Sequence, residues 1–145
     1  MNSNLSKFNA NNEEWLKKQT LCIAILAMVC PSMSHANPTG AQIINGQVSI
    51  DQSIAGITTI KNSPNAIINW QDFSIAKNEI TRFVQENGQS AVLNRIIGGN
   101  PSEILGSLYS NGNVFLINPN GILFGAGGKI DTQGLIASTL NLDDN

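Results

Sequence analysis

Glycine is confined to one part of this chain and divides it into short segments. All 13 glycines of the 145 residues lie after residue 36, and asparagine is abundant there as well. Four glycines follow an asparagine, at Asn45-Gly46, Asn87-Gly88, Asn111-Gly112 and Asn120-Gly121. Both residue types tolerate positive φ, so each pair predicts a point where the chain turns or bends. Because breaks this frequent disfavour long helices, we expect short β-strands between tight turns.

The apolar residues between these turns alternate with polar ones, as they do along β-strands. The alternating stretches are residues 47–51, 54–60, 80–84 and 114–117. After residue 113 the apolar runs shorten to residues 114–117, 122–124, 129–131 and 135–137. Three such strands with their glycine-rich corners take about 20 residues, the length of one coil of a parallel β-helix. We therefore expect an all-β fold of this kind. An antiparallel sandwich explains the alternation almost as well and stays open here, but it does not account for strands of three residues.

Residues 101–108 are the exception to the strand pattern. Asn100 can cap a helix, and Pro101 suits the first helical position. Ile104 and Leu108 would then share one helical face. We expect one or two helical turns in this segment.

Residues 1–36 have the pattern of a cleavable secretory signal. A polar stretch ending in two lysines precedes ten apolar residues at 21–30. A helix of that length covers about half of the hydrocarbon core of a bilayer, too little for a stable span. Small residues then stand where a signal peptidase reads, so we place cleavage between Ala36 and Asn37 and expect a mature domain at 37–145. A buried core helix is the alternative for 21–30, but its spacing leaves no polar face.

Removal of this signal would also remove the side chains that most hydrolases depend on. Both cysteines and the only histidine, His35, lie within it. Ser-His-Asp, Cys-His and thiolate or imidazole metal sites cannot be assembled without them. Carboxylates remain, and Asp72, Glu79 and Glu86 are the candidates for glycoside chemistry, although we expect them on solvent-facing strands and turns. We therefore expect no catalytic site, no metal site and no cofactor.

Charge and glycine spacing argue against two further classes of function. After residue 36 the chain has five basic and eight acidic residues, a net charge of −3, and no basic run. Nucleic acids and anionic membranes are therefore disfavoured partners. The glycine cluster at 125–129 suggests a phosphate loop, but the glycine spacing is wrong and Ile130 stands where a hydroxyl residue is needed. We expect a β-turn there.

The tetrapeptide Asn118-Pro119-Asn120-Gly121 predicts a tight turn between two apolar strands. Pro119 fixes φ at the second position, and Asn120 or Gly121 can take the left-handed position. Asn118 can bond back to the backbone through its side chain. From the residues alone, we interpret this motif as a folding element.

Several stretches of the chain, in order, resemble the N-terminal secretion domain of two-partner secretion exoproteins, also called the filamentous haemagglutinin or haemagglutination-activity domain. The matching stretches are residues 43–46, 69–75, 92–96, 100–106, 112–125 and 134–140. Within them, residues 118–121 match the Asn-Pro-Asn-Gly motif of the family, and Asn94-Arg95 matches its Asn-Arg element. The family usually has a second motif of the Asn-Pro-Asn type, of which Asn37-Pro38-Thr39-Gly40 is a partial echo.

The resemblance implies a right-handed parallel β-helix with an N-terminal cap and extra-helical strands. It also implies a route: export by the Sec machinery, recognition by the periplasmic modules of a cognate outer-membrane barrel transporter of a Gram-negative cell, passage in an unfolded state, and folding outside. The residues expected to fix the turn and present the recognition surface are Asn118, Pro119, Asn120, Gly121, Asn94 and Arg95.

The resemblance leaves the nature of the whole protein open. We expect the front end of a surface adhesin or haemagglutinin, with a host-cell glycan or receptor as a further partner. The alternatives are the export domain of a contact-dependent inhibition toxin and a β-helical polysaccharide-processing enzyme. Since residues 140–145 show no terminal cap, we expect a larger protein or a truncated gene.

Overall fold

The computed structural model describes residues 37–140, and this part of the chain is built from strands and turns without a helix. The strands are β1 (Gln42–Asn45), β2 (Val48–Ile54), β3 (Ile57–Asn62), β4 (Ala66–Trp70), β5 (Ile80–Gln85), β6 (Ala91–Ile96), β7 (Ser102–Ile104), β8 (Ser107–Ile117), β9 (Ile122–Phe124) and β10 (Lys129–Ser138). Residues 37–140 thus hold no helix long and apolar enough to cross a membrane. The expected signal, with Ala36, lies outside the described residues.

The strands stack on three faces of a coiled chain. The first face contains β3, β5 and the first parts of β8 and β10, so that Ile57, Ile80 and Ser107 occupy one register position. The second face contains β4, β6 and the later parts of β8 and β10. The third face contains β7 and β9, and Ile75 bridges to Ile104 beside them. Each circuit of the chain therefore adds one layer to the stack.

The resulting architecture is a right-handed parallel β-solenoid of about 4 turns. Every pairing between successive coils is parallel. This confirms the predicted parallel β-helix and excludes the antiparallel sandwich.

An antiparallel layer covers the first coil and forms the N-terminal cap. Strand β1 pairs antiparallel with β4, and β2 pairs antiparallel with β3. The chain reverses between β2 and β3 at Gly56, which has φ of +74°. A bridge from Thr39 to Asp72 continues the same layer. All strands of residues 37–140 belong to the cap or the coils, so the expected extra-helical strands are not among them.

The core lies inside the coils and consists of side chains stacked from one layer to the next. Ala66, Val92 and Val114 form one such column, and each is at most 1% exposed. The ring of Phe73 contacts Trp70 edge-on at 5.6 Å and stacks on Phe83 at 6.4 Å. Full burial of each such side chain stabilises the fold by about 1.5–3 kcal/mol.

The helix expected at 101–108 is wrong. This segment contains β7, a bend, and the start of β8. Ser102 and Ile104 point inward with Glu103 outward, which is the two-residue period of a strand. The backbone of Glu103 bonds Ile75 of the preceding coil, so stacking partners distant in sequence override the local helical signal.

Three smaller expectations also require correction. Asn111-Gly112 is not a turn but lies within β8. The two runs expected at 129–131 and 135–137 belong to a single strand, β10, whose pairing with β8 shifts near Thr132. The run 54–60 is interrupted by the Gly56 reversal.

Gly98 lies where the backbones of two coils meet. Ile97 donates its N–H to the carbonyl of Trp70 at 2.8 Å. A Cβ on Gly98 would overlap the carbonyl oxygen of Gln71, whereas a Cβ on Gly99 would have no atom within 4 Å. Of these two neighbouring glycines, only Gly98 is required for contact between the coils.

We expect Gly98→Ala to lower the free energy of unfolding by about 1–3 kcal/mol, because the added methyl group forces the two coils apart. Gly99→Ala is the matched control and should change stability by less than about 0.5 kcal/mol. Urea unfolding of the purified protein, followed by circular dichroism, measures both. Equal stability of the two variants would contradict this close approach.

Candidate functional site

The Asn118–Gly121 segment forms a β-turn that joins β8 on the second face to β9 on the third. Gly121 donates its N–H to the carbonyl of Asn118 at 3.1 Å, which closes the turn. The side-chain oxygen of Asn118 accepts the N–H of Asn120 at 2.9 Å. Gly121, with φ of +114°, takes the left-handed position, and Asn120 does not. The predicted turn and the bond from Asn118 back to the backbone are both confirmed.

The side chain of Asn118 is fully buried and connects its own coil to the preceding one. Its Nδ2 donates to the carbonyl of Asn100 and to Oγ of Ser102, both at 3.0 Å. Its exposed fraction is 0%. The backbone N–H of Asn118 donates to the carbonyl of Ser138 in the next coil at 3.0 Å. One residue therefore joins three successive coils at this corner.

Pro119 and Asn120 are the two exposed residues of the turn. The Nδ2 of Asn120 donates to the carbonyl of Gly98 at 2.8 Å and to Oδ1 of Asn118 at 3.2 Å. These bonds hold the Asn120 side chain against the preceding coil while leaving it accessible to solvent. In the folded chain, Pro119 and Asn120 are therefore the residues of this motif that a partner can reach.

Asn94 is buried inside the solenoid at 0% exposure. Its Oδ1 accepts the indole N–H of Trp70 at 3.0 Å, and its Nδ2 donates to the carbonyl of Phe115 at 3.3 Å. A buried indole N–H needs such a partner, because leaving it unpaired costs about 1–3 kcal/mol. Asn94 thus links the coils below and above its own.

Arg95 follows on the outer side of β6. It is half-buried and is paired in register with Asn69 on one side and Ile117 on the other. Since Ile117 directly precedes Asn118, the structure brings the Asn-Arg element and the Asn-Pro-Asn-Gly turn to the same end of the second face. The six expected site residues therefore divide into an internal set, with Asn94 and Asn118, and an outer set.

A second group of hydrogen-bonded polar side chains, centred on the buried Gln85 at the corner between the first and second faces, was missed from the sequence. The Gln85 N–H donates to Oδ1 of Asn111 at 2.7 Å, and Nδ2 of Asn111 donates back to the Gln85 carbonyl at 2.8 Å. Nε2 of Gln85 also donates to Oγ of Ser110 at 3.1 Å. The signal for this group was the inward position of Gln85 in the alternating pattern of β5.

The three carboxylates considered for glycoside chemistry serve local roles. Glu79 is buried, contrary to expectation, and accepts the N–H of Ala76 at 2.9 Å. Asp72 accepts from the amide of Asn100 at 3.4 Å, and Glu86 is exposed at a corner. Within residues 37–140, no group of three or more His, Cys, Asp or Glu side chains could hold a metal ion.

The glycine cluster at 125–129 forms a β-turn, as expected. The Gly128 N–H donates to the Gly125 carbonyl at 2.9 Å and closes it.

Asp51, which lies on β2 and away from this corner, accepts the N–H of Ser53 at 2.9 Å. The N–H and hydroxyl of Ser53 hold the pKa of Asp51 below its usual value, with a smaller contribution from Lys61. The described residues of the corner itself present uncharged amide groups and a proline.

Replacement of the two asparagines of the turn separates the internal role from the exposed one. We expect Asn118→Ala to lower the free energy of unfolding by about 2–4 kcal/mol, because it leaves buried polar groups of two coils without partners. Asn120→Ala should cost less than about 1 kcal/mol, because water can replace its bonds. Urea unfolding of the two purified variants tests this. An equal loss in both would contradict the division.

Comparison with known proteins identifies the family. The family model described as the TPS secretion domain matches residues 28–145. The solved secretion domain of HMW1 from Haemophilus influenzae is 44% identical with a TM-score of 0.73, over 74% of this chain and 29% of that one. Two heme/hemopexin-binding proteins of Haemophilus influenzae are 36% and 35% identical over 82% and 73% of this chain.

The chain spans only 13% and 12% of the length of those two curated relatives. The likeness therefore concerns the part of them that this chain matches, and their activities belong to much longer proteins. The coil architecture and a family match over most of the sequence agree with each other. This chain belongs to the family of two-partner secretion (TPS) domains.

Proposed function

We propose that this domain is the targeting element of an exported protein, read by the periplasmic modules of a cognate outer-membrane barrel transporter after export by the Sec machinery. Membership of the TPS family supports a transporter partner and a secreted or surface location. In this proposal residues 1–36 are the signal and the mature chain begins at Asn37. The domain carries no catalytic activity of its own.

The observation that carries this proposal is that the Asn118–Gly121 turn combines one buried residue with two exposed ones. Asn118 is buried and joins three coils, so it acts on folding. Pro119 and Asn120 face solvent, with Asn120 tied to Gly98. The turn is closed by hydrogen bonds within the motif itself, so it can offer a transporter an uncharged corner before the coils have stacked. In the folded domain Asn94 is buried, and there it acts on the stacking of the coils.

Folding outside the cell is the second part of the proposed function. Each coil obtains its backbone hydrogen bonds from the previous one, so coils add by nearest-neighbour stacking. The cap closes the first coil, which gives the chain a defined start. Stacking of emerging coils then disfavours return through the transporter, without a nucleotide.

For the whole protein we propose a surface adhesin or haemagglutinin, which recognises a host-cell glycan or receptor. The likeness to HMW1 covers only the secretion domain, so it supports a role in export and not a function of the rest of the protein. A contact-dependent toxin is the alternative, and the sequence downstream of the domain distinguishes the two.

Haem binding is a second candidate function, favoured by the names of two relatives. Residues 37–145 contain no histidine, cysteine or methionine, which are the commonest axial ligands of haem iron. If the full-length protein binds haem, we propose that its ligands lie outside these residues.

Export of the full-length protein tests the targeting role. Asn120→Ala should reduce the exported fraction by about tenfold or more while synthesis and refolding stay near normal, since loss of one well-placed contact of about 1.4 kcal/mol corresponds to that factor. Gln89→Ala is the matched control, because Gln89 is exposed at a different corner and bonds Asn87 only through its backbone. The assay compares surface and periplasmic protein in cells with the cognate transporter.

The fold-defective variant Asn118→Ala completes the experiment. It should accumulate in the periplasm for a different reason, because its coils stack poorly outside the cell. Normal export of Asn120→Ala would sink the role of the exposed corner. Normal export of Asn118→Ala would sink the coupling of export to folding.

A further inference from the structure

The four Asn-Gly pairs of this chain are chemically labile sequences. The backbone nitrogen of the glycine attacks Cγ of the asparagine and forms a five-membered succinimide, and the side-chain nitrogen leaves as ammonia. Water then opens the ring at either carbonyl to give aspartate or isoaspartate. The reaction requires a glycine N–H that can be released and an asparagine side-chain nitrogen that is free to depart. The fold decides which of the pairs meets these conditions.

Three of the pairs are restrained by hydrogen bonds. Asn111 lies within β8, and both ends of its amide are held by the backbone of Gln85 at 2.7 and 2.8 Å. At Asn120-Gly121, the glycine N–H donates to Asn118, and the asparagine Nδ2 donates to the Gly98 carbonyl at 2.8 Å. At these two sites, attack by the glycine nitrogen and departure of the asparagine side-chain nitrogen are both hindered.

Asn45 is the third restrained residue. Its Nδ2, the nitrogen that would leave as ammonia, donates to the carbonyl of Asn65 at 2.9 Å. The following Gly46 is fixed in a turn with φ of +83°. The bond to Asn65 slows departure of the amide.

Asn87-Gly88 differs from the other pairs. It lies in the exposed loop between β5 and β6, and within residues 37–140 neither Nδ2 of Asn87 nor the N–H of Gly88 donates a hydrogen bond. The Asn87 Oδ1, in contrast, accepts the N–H groups of Gln89 at 2.9 Å and Ser90 at 3.1 Å. Two donors on this oxygen polarise the carbonyl and stabilise the oxyanion that forms when Cγ is attacked, as the donors of an oxyanion hole do.

We propose that Asn87 is a spontaneous deamidation site of the folded domain, closing onto the nitrogen of Gly88, and that the fold protects Asn45, Asn111 and Asn120. The product adds a negative charge next to Glu86 at an exposed corner. An aspartate at position 87 still presents an oxygen to the N–H groups of Gln89 and Ser90, so the solenoid persists after the reaction.

Incubation of the purified chain in mildly alkaline buffer tests the proposal, with peptide mass spectrometry and separation of the isoaspartate and aspartate forms. In the folded protein, the peptide with Asn87 should gain about 1 Da well before the peptides with the other three pairs. In concentrated urea, all four peptides should react at similar rates. Faster reaction of Asn120 or Asn111 than of Asn87 in the folded state would overturn the proposal.

Two variants make the result specific. Gly88→Ala should sharply slow the reaction at Asn87, because a side chain hinders ring closure, and the site has room for a Cβ, whose nearest neighbour would be the Asn111 carbonyl at 3.6 Å. Asn87→Gln should abolish the early mass gain. Circular dichroism confirms that both fold. An unchanged rate in Gly88→Ala would show that direct hydrolysis, and not attack by the glycine nitrogen, modifies Asn87, and would overturn the proposed chemistry.

Discussion

In a parallel solenoid, no coil satisfies its own backbone, because the hydrogen-bonding groups of each strand point along the axis toward the neighbouring coils. Strand β8 shows this dependence most fully. It pairs with β5 and β6 on one side and with β10 on the other. Removal of any one layer would leave unpaired groups on the next, so the strands of successive coils must be held in register.

Buried amide side chains supply much of that register. Asn94 accepts from Trp70 in the coil before it and donates to Phe115 in the coil after it. The buried amide of Gln85 donates to Ser110 and to the Asn113 carbonyl at another corner, and Asn118 bonds Ser102. A shift of the stack by one residue would leave these amides unpaired in a low-dielectric interior, which is more costly than the loss of an apolar contact. The apolar columns stabilise the stack, and the amides select one alignment of it.

The difference between local signals and contacts made by stacking explains which features could be predicted from sequence. Strands at 80–84 and 114–117 follow from alternation, and the turn at Asn118 follows from the conformations of proline and glycine, because both signals are local. The helix expected at 101–108 failed because Ile75 and Asn118, distant in sequence, hold β7 extended. The partners of Asn94 and the burial of Glu79 depend on which residues stack, and stacking depends on loop lengths that alternation does not encode.

The cap has a consequence for the length of proteins built on this fold. Because β1 and β2 run against the first coil, the cap closes the N-terminal side of the stack, whereas β10 pairs within residues 37–140 only with β8. A stack closed at its start and extended by identical steps is modular: the number of coils can change without altering the capped end. The length of such a protein can therefore change at its open end without disturbing the contacts of the capped layers or of the corner at Asn118.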